Sequence, residues 1–210
     1  MPPMSALFAP GLRRVTLLLV SMAGIALTTV WAFLYFAPQI VQRLPEVQSW
    51  TPKERANFVT WATVAYTVVN IGANFCACYV ARVIGYRRAF VVWMAGSLGA
   101  FGLFWWQPTV WTVIPVLCAG AFFSLGLFGM FPLYIPPQFP TLVRTLGAGF
   151  TYNMGRVIAG VGAYFGAAIA ANAGGAHKAV FWTGLLYVVG VGVAWCVPEI
   201  PEAERAEGGQ

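Results

Sequence analysis

Aspartate is absent from this sequence, and charged residues of any kind are scarce. Of the 210 residues only 9% are charged, and all six acidic residues are glutamate. A soluble globular domain carries about 25% charged residues, so this composition excludes that class of protein. Apolar residues make up 60% of the chain, with a mean hydropathy of +0.74, and they form continuous runs instead of alternating with period two. We therefore predict an all-α membrane protein and not a β-barrel.

Histidine and cysteine are also rare, which argues against catalysis and against a metal site. The four cysteines lie in apolar runs, and Cys76 and Cys78 would point about 160° apart on a helix, which prevents them from sharing a metal. His177, the single histidine, lies in a short Gly/Ala loop. Acid–base chemistry at membrane depth needs Asp, Glu or His there, and the apolar segments contain none. We predict no catalytic residue, no metal and no cofactor, and a membrane-embedded enzyme is the least favoured class.

The net charge of +6 does not indicate binding to nucleic acid. The basic residues cluster at the ends of apolar segments, where lipid head groups and topology rules place them. With both termini in the cytoplasm, seven basic residues would lie on the cytoplasmic side of the membrane and four on the other. We therefore expect the lipid bilayer as a partner, no nucleic acid, and cytoplasmic termini.

Six apolar segments have about the length that a membrane-crossing helix needs. The predicted transmembrane domain covers residues 15–197, with spans at about 15–37, 57–81, 89–106, 112–134, 147–171 and 179–197. Residues 1–14 form a cytoplasmic N-terminal segment. Residues 198–210 contain four Glu, one Arg and no apolar run, which predicts a disordered cytoplasmic tail. The longest loop covers residues 38–56, and Thr51-Pro52-Lys53-Glu54 within it has the form of a helix capping box.

The fifth span contains Arg156, the one charged side chain that we expect at membrane depth. A cation there costs about 2.5–3.5 kcal/mol on insertion scales, so it normally faces a bundle interior or a wet cavity. Tyr152, Asn153 and Arg156 share one face of the helix, and small residues that permit close helix packing occupy the neighbouring face. Two roles stay open for Arg156: pairing with a substrate carboxylate, or bonding to helix-end carbonyls.

Two other spans carry polar or aromatic residues along one face. The second span presents Tyr66, Asn70 and Asn74 together, and amides in hydrocarbon need hydrogen-bond partners. They either join helices or line a substrate path. The first span presents Trp31 and Tyr35, which suit either helix packing or a cavity wall. The candidate substrate-binding residues are Arg156, Asn153, Tyr152, Asn70, Asn74, Tyr66, Trp31 and Tyr35.

The connection between the fourth and fifth spans carries the most specific motif. It reads Tyr134-Ile-Pro-Pro-Gln-Phe-Pro-Thr141, followed by Arg144, Gly147 and Gly149, and then by Asn153 and Arg156. This run resembles the C-terminal half of a major facilitator superfamily transporter. The turn from Arg82 to Arg88 resembles the family's basic cytoplasmic turn at Gly85, Arg87 and Arg88. Pro198-Glu199 resembles the Pro-Glu that often follows the last span, and the resemblance covers nearly the whole chain.

Two departures from the family pattern concern the cytoplasmic gate, for which the resemblance implies Arg82, Gly85, Arg87, Arg88, Gln138 and Arg144. Gln138 stands where the family usually has Glu, and Arg82 stands where it usually has Asp. Those acids help to latch the gate in the family. We therefore expect any latch here to use neutral hydrogen bonds or another subunit.

The resemblance implies one half of a transporter, because family members have two six-helix halves with the substrate site between them. We predict a half of a secondary active transporter for a small organic solute, an organic anion or sugar-like metabolite. It would work by alternating access with a second six-helix half, supplied by a separate chain or by a homodimer. Metabolite–proton symporters are the nearest subgroup, and the expected location is the cell membrane, the inner membrane of a bacterium. The alternative is a non-transporting membrane interaction or assembly protein, or an inactive truncated fragment.

Overall fold

The protein is a bundle of long helices. The computed structural model describes residues 3–172 and 174–200, with the side chains of 163–172 left out of the description. Eight α-helices follow one another there: α1 Arg13–Gln42, α2 Pro45–Gln48, α3 Pro52–Ile84, α4 Tyr86–Gly102, α5 Val110–Tyr134, α6 Arg144–Asn172, α7 Ala176–Gly184 and α8 Leu186–Cys196. Short 3-10 turns occupy Met4–Phe8, Leu103–Trp105, Pro136–Gln138 and Thr141–Val143. The predicted all-α class is confirmed, with no strand in the described part of the chain.

Five segments in the described residues are long and apolar enough to cross a membrane: Arg13–Gln42, Pro52–Ile84, Tyr86–Trp105, Val110–Tyr134 and Ala176–Cys196. The sixth predicted span lies in α6, which runs into the stretch whose side chains are not described. The helices extend beyond several predicted spans. The bounds at which each one crosses the membrane stay predictions.

The long loop predicted over residues 38–56 is mostly helical. α1 continues through Pro38 to Gln42 and α3 begins at Pro52, with the short α2 between them. The capping box is confirmed: the Glu54 amide donates to Thr51 Oγ1 (3.3 Å), and the Thr51 amide donates to Glu54 Oε2 (2.9 Å). Pro52 occupies the first turn of α3, where its missing N–H has no intrahelical partner to lose.

Small residues bring α6 close to α1. A Cβ added at Gly155 would lie 2.8 Å from Ala23 Cβ, and one added at Gly162 would lie 2.5 Å from Thr28 Cγ2. Both contacts advance in the same direction along the two helices, so α1 and α6 run parallel. We call this contact the α1–α6 seam. It is the packing face that the small-residue pattern predicts.

α3 packs mainly on α5, again through glycine. A Cβ at Gly129 would lie 2.7 Å from the Asn74 carbonyl oxygen, and one at Gly126 would lie 3.2 Å from the Ala73 Cβ. The Cys78 thiol donates to the Gly129 carbonyl across the same contact. Elsewhere α3 is open, and its large apolar residues form an exposed stripe, which we call the α3 stripe. It consists of Trp61, Val64, Val68, Ile71, Phe75, Tyr79 and Val83.

The first residues of the predicted disordered tail, 198–200, pack on the bundle, and the boundary of the tail stays a prediction. Ile200 is only 5% exposed. Glu199 accepts hydrogen bonds from the Tyr86 and Arg87 amides, and the Tyr134 hydroxyl donates to the Pro198 carbonyl. The apolar side chain of Ile200 explains why the chain stays on the bundle to this point. Residues 201–210 of the predicted tail lie outside the described residues.

Candidate functional site

Arg156 lies on an exposed face of α6, with its guanidinium carbon 5.1 Å from the centre of the Tyr152 ring. The two residues are one helical turn apart, so the stacking follows from the helix itself. Among the described residues the guanidinium makes no hydrogen bond or ion pair, and the alternative of bonding to helix-end carbonyls is not observed. Asn153 is also exposed, and its amide donates to the Gly149 carbonyl (2.8 Å). The face therefore presents a cation whose donors remain open to a ligand.

Asn70 and Asn74 form a local amide pair on α3. Asn74 Nδ2 donates to the Asn70 carbonyl and to Asn70 Oδ1, each at 2.8 Å. Both side chains are half-buried. The pair satisfies part of its own hydrogen-bonding capacity within one helix, and α5 approaches the Asn74 backbone through Gly129. This arrangement is compatible with both roles that the sequence left open.

The candidate residues lie at different depths along the bundle. Phe8 meets Phe150, and Tyr86 meets Tyr134, so the starts of α1, α4 and α6 and the end of α5 share one end of the molecule. At 1.5 Å per residue, Arg156 lies about 18 Å from that end, and Asn74 and Asn70 lie about 15 and 21 Å from it. Trp31 and Tyr66 lie about 27 Å from it. In the described residues α3 and α6 share no extensive contact. Arg156 and the Asn70–Asn74 pair would therefore reach a site from separate helices.

The three aromatic candidates on α1 and α3 differ sharply in burial. Trp31 is 56% exposed and Tyr35 is 65% exposed, both on the free side of α1. Tyr66 is only 5% exposed, and its ring packs edge-on against Phe33 at 5.7 Å between centroids. Most of the Tyr66 ring thus belongs to the core. Its assignment as a lining residue stays a prediction, as do those of the other seven residues.

A cavity of about 180 Å³ opens between α5 and α6 beside Tyr152. Its walls are almost entirely apolar, formed by Phe128, Phe131, Pro132, Ile135, Pro136, Ala148 and Tyr152. Sequence reasoning missed all of these except Tyr152, because an apolar residue that lines a cavity has the same pattern as one that packs. The prolines carried a usable signal, since Pro132 interrupts the hydrogen-bond ladder of α5 where the cavity lies.

The basic turn between α3 and α4 contacts a glutamate of the same chain, Glu199, through backbone amides. Gly85 turns the chain with a φ of +91°, a conformation that glycine adopts without strain. Glu199 Oε1 accepts from the Tyr86 amide (2.9 Å) and Glu199 Oε2 from the Arg87 amide (3.2 Å), at the start of α4. A carboxylate is favoured at a helix N-terminus. Glu199 thus binds the backbone of this turn, and the expectation that a latch uses neutral hydrogen bonds or another subunit stays a prediction.

Three of the other residues implied for the gate are exposed arginines, and two lie at the connection between α5 and α6. Arg82, Arg87 and Arg88 are exposed. Arg144 Nε donates to the Phe139 carbonyl (3.3 Å), which ties α6 to the motif that precedes it. Gln138 Nε2 is buried and has no hydrogen-bond partner in the described residues. The role of the six residues as a gate stays a prediction.

Comparison with known families matches this architecture. The family model described as "Sugar (and other) transporter" matches residues 4–204, nearly the whole chain. The chain belongs to this family of the major facilitator superfamily. The suggested relationship is confirmed, and with it a multi-pass membrane transporter architecture amounting to roughly half of the superfamily's bundle.

Two curated relatives carry the name NiaP. The chain is 28% identical over 91 residues to the putative niacin/nicotinamide transporter NiaP of Bacillus subtilis (strain 168), covering 43% of this chain and 23% of the relative. It is 34% identical over 68 residues to the niacin transporter NiaP of Acinetobacter baylyi (strain ATCC 33305 / BD413 / ADP1), covering 30% and 16%. The matched regions thus span less than a quarter of either relative.

Proposed function

We propose that this chain is one half of a secondary active transporter for a small organic anion, working by alternating access with a second six-helix half. The observation that carries the proposal is Arg156, an exposed guanidinium on a helix of a membrane bundle, stacked on Tyr152. Exposure of this cation to lipid would be costly, whereas a wet cavity between two halves would tolerate it.

Residues of α1, α3 and α6 would supply the remaining elements of such a site. A carboxylate of the solute would pair with Arg156, whose planar guanidinium matches a carboxylate in two parallel hydrogen bonds. Asn70 and Asn74 lie at similar depth and would offer amide hydrogen bonds. Trp31 and Tyr35 would contact the solute nearer the opposite end of the bundle.

The names of the two relatives suggest the probe, because nicotinate and nicotinamide are nearly identical in shape and differ in charge. The chain would be reconstituted in liposomes, alone and with the first half of a niacin transporter, and uptake of labelled nicotinate would be measured. We expect uptake only when a second half is present. Uptake with neither arrangement, and no nicotinate binding in either, would overturn the proposal.

The role of Arg156 has its own test. Arg156→Gln is expected to abolish nicotinate binding and to leave nicotinamide binding nearly unchanged, while Arg156→Lys retains part of the nicotinate binding because it keeps the charge. An equal loss of both ligands in Arg156→Gln would refute pairing with an anion and leave a structural role for this residue.

The second candidate function is a membrane assembly protein without transport of its own. The observation that favours it is the open side of α3, because α3 is less apolar than α1 and yet only 22% buried over its most apolar stretch, which suits a protein partner better than lipid. A chain that co-purifies with a membrane partner but neither binds nor moves nicotinate would support this reading.

A further inference from the structure

The cavity between α5 and α6 has the size of one small ring. Its volume is about 180 Å³. An engineered protein cavity of about 150 Å³ with apolar walls binds benzene. A single six-membered ring therefore fits between the two helices, with little space to spare.

The walls of this cavity suit an apolar ring and not a sugar. Of the seven described residues that line it, only Tyr152 has a polar atom in its side chain. A hydroxyl group that leaves water for such a wall loses hydrogen bonds without gaining new ones. Each hydroxyl of a sugar would meet this cost, whereas an aromatic ring is favoured when it leaves water.

The α5 wall of the cavity is supported by the core of the bundle. Phe131 is only 1% exposed and stacks on Phe90 of α4, with 5.4 Å between the ring centroids. Phe128 meets Phe131 edge-on, with 5.5 Å between their centroids. Side chains held in this way keep the cavity formed before a ligand arrives, as is usual for small-molecule sites.

Tyr152 connects this cavity to the cation of the candidate site. Its side chain lines the cavity, and the guanidinium carbon of Arg156 lies 5.1 Å from the centre of its ring. The two residues are four positions apart on α6, which is about 6 Å along the helix. A ligand ring that packs on Tyr152 therefore has a guanidinium within about one helical turn, on a side chain flexible enough to meet a carboxylate attached to that ring.

We propose that the site takes a monocyclic aromatic carboxylate, with its ring in the cavity between α5 and α6 and its carboxylate on Arg156. The assignment rests on the proposed function, in which Arg156 pairs with an anion, and it names the class of that anion. A sugar acid carries the same charge, but the apolar walls reject its hydroxyls. Ala148 of α6 and Phe128 of α5 limit the size of the ring, because each lines the cavity from its own helix.

Competition between ligands of matched charge or matched shape tests the assignment. Binding of para-fluorobenzoate to the full chain, alone and with a second half, would be followed by fluorine NMR, with protein-free detergent micelles as the background. Benzoate, glucuronate and neutral benzamide would be the competitors. We expect benzoate to bind roughly tenfold or more tighter than glucuronate. Arg156→Gln should remove this advantage of benzoate over benzamide.

Two substitutions in the walls test the position of the ring. Ala148→Leu adds atoms inside the cavity and should weaken benzoate binding by roughly tenfold or more. Gly160→Leu is the control on the same helix, because an added Cβ there meets no atom within 4 Å, and it should change benzoate binding by less than about twofold. Phe128→Ala enlarges the cavity and should favour naphthoate over benzoate by roughly tenfold relative to the wild type. It adds no atoms, so it decides the question if Ala148→Leu fails to fold.

The remaining outcomes separate this inference from the proposed function. Binding of benzoate that depends on Arg156 but is unchanged in Ala148→Leu and in Phe128→Ala would put the ring elsewhere and overturn the inference, while pairing of an anion with Arg156 would stand. Equal competition by glucuronate and benzoate would overturn it in the same way. Absence of Arg156-dependent binding for every anion, in both arrangements, would overturn the proposed function together with this inference.

Discussion

α1 and α3 are the two longest helices, with 30 and 33 residues, yet they are buried to very different extents. In the most apolar stretch of each helix, 61% of the α1 residues are buried and only 22% of the α3 residues. α1 packs against α6, α7 and α8, whereas α3 packs mainly on α5. A helix that showed so much surface to lipid would be expected to be the more apolar of the two, and α3 is the less apolar. The contrast favours a protein partner or a wet cavity over lipid at the open side of α3.

The largest effect is expected in the α1–α6 seam. Gly155→Leu would place atoms where a Cβ already lies 2.8 Å from Ala23, and the neighbouring atoms include the Ala23 backbone, which cannot move aside cheaply. Overpacking of this kind costs about 1–3 kcal/mol or more. We expect a large drop in the melting temperature of the detergent-solubilised chain.

Gly160→Leu is the matched control for this substitution on the same helix. An added Cβ at Gly160 meets no atom within 4 Å, and the residue is exposed. It should leave the melting temperature almost unchanged. Equal destabilisation by the two variants would show that helix propensity, and not the close approach of α1, decides the outcome.

Local patterns in the sequence predicted local structure but not the contacts between distant segments. The small-residue face of α6 and the Thr51–Glu54 capping box depend on neighbours within two turns, which a sequence displays directly. Glu199 reaches Tyr86 across 113 positions, and no spacing rule connects residues so far apart. The fold class and the family motif identified the architecture. The burial of Tyr66 and the cavity beside Tyr152 depended on which faces of α3 and α5 turn inward.

The second prediction concerns the tail contact that closes the start of α4. Glu199→Ala removes the acceptor of two amide hydrogen bonds at the start of α4. We expect the free energy of unfolding to fall by about 1–2 kcal/mol. Glu199→Gln should lose less, because its amide oxygen still accepts one of these bonds. Glu46→Ala, at an exposed position, is the control. An unchanged melting temperature in Glu199→Ala would mean that the contact between Glu199 and the start of α4 does not stabilise the bundle.

A smaller effect is expected on the α3–α5 contact. Asn74→Leu removes the amide that bonds to Asn70 one turn away in α3, and a side-chain pair of this spacing contributes about 0.2–0.5 kcal/mol. Gly129→Ala should cost more, because its Cβ would lie 2.7 Å from the Asn74 carbonyl. If Asn74→Leu proved the more harmful of the two in thermal melting, the amide pair within α3 would contribute more to stability than the close approach of Gly129.

The smallest effect on stability is predicted for the α3 stripe, where the largest effect on association should appear. Phe75 is 75% exposed, so Phe75→Ala should change the stability of the isolated chain by no more than about 0.5 kcal/mol. Trp195→Ala is the control, since Trp195 is 66% exposed on α8. Association would be measured by co-purification of differently tagged copies, and of the chain with the first half of a niacin transporter. Loss in Phe75→Ala but not in Trp195→Ala would identify the less apolar helix as the one that a partner covers. Equal association of the two variants would instead mean that both exposed faces meet lipid. The difference in burial between α1 and α3 would then not indicate a partner.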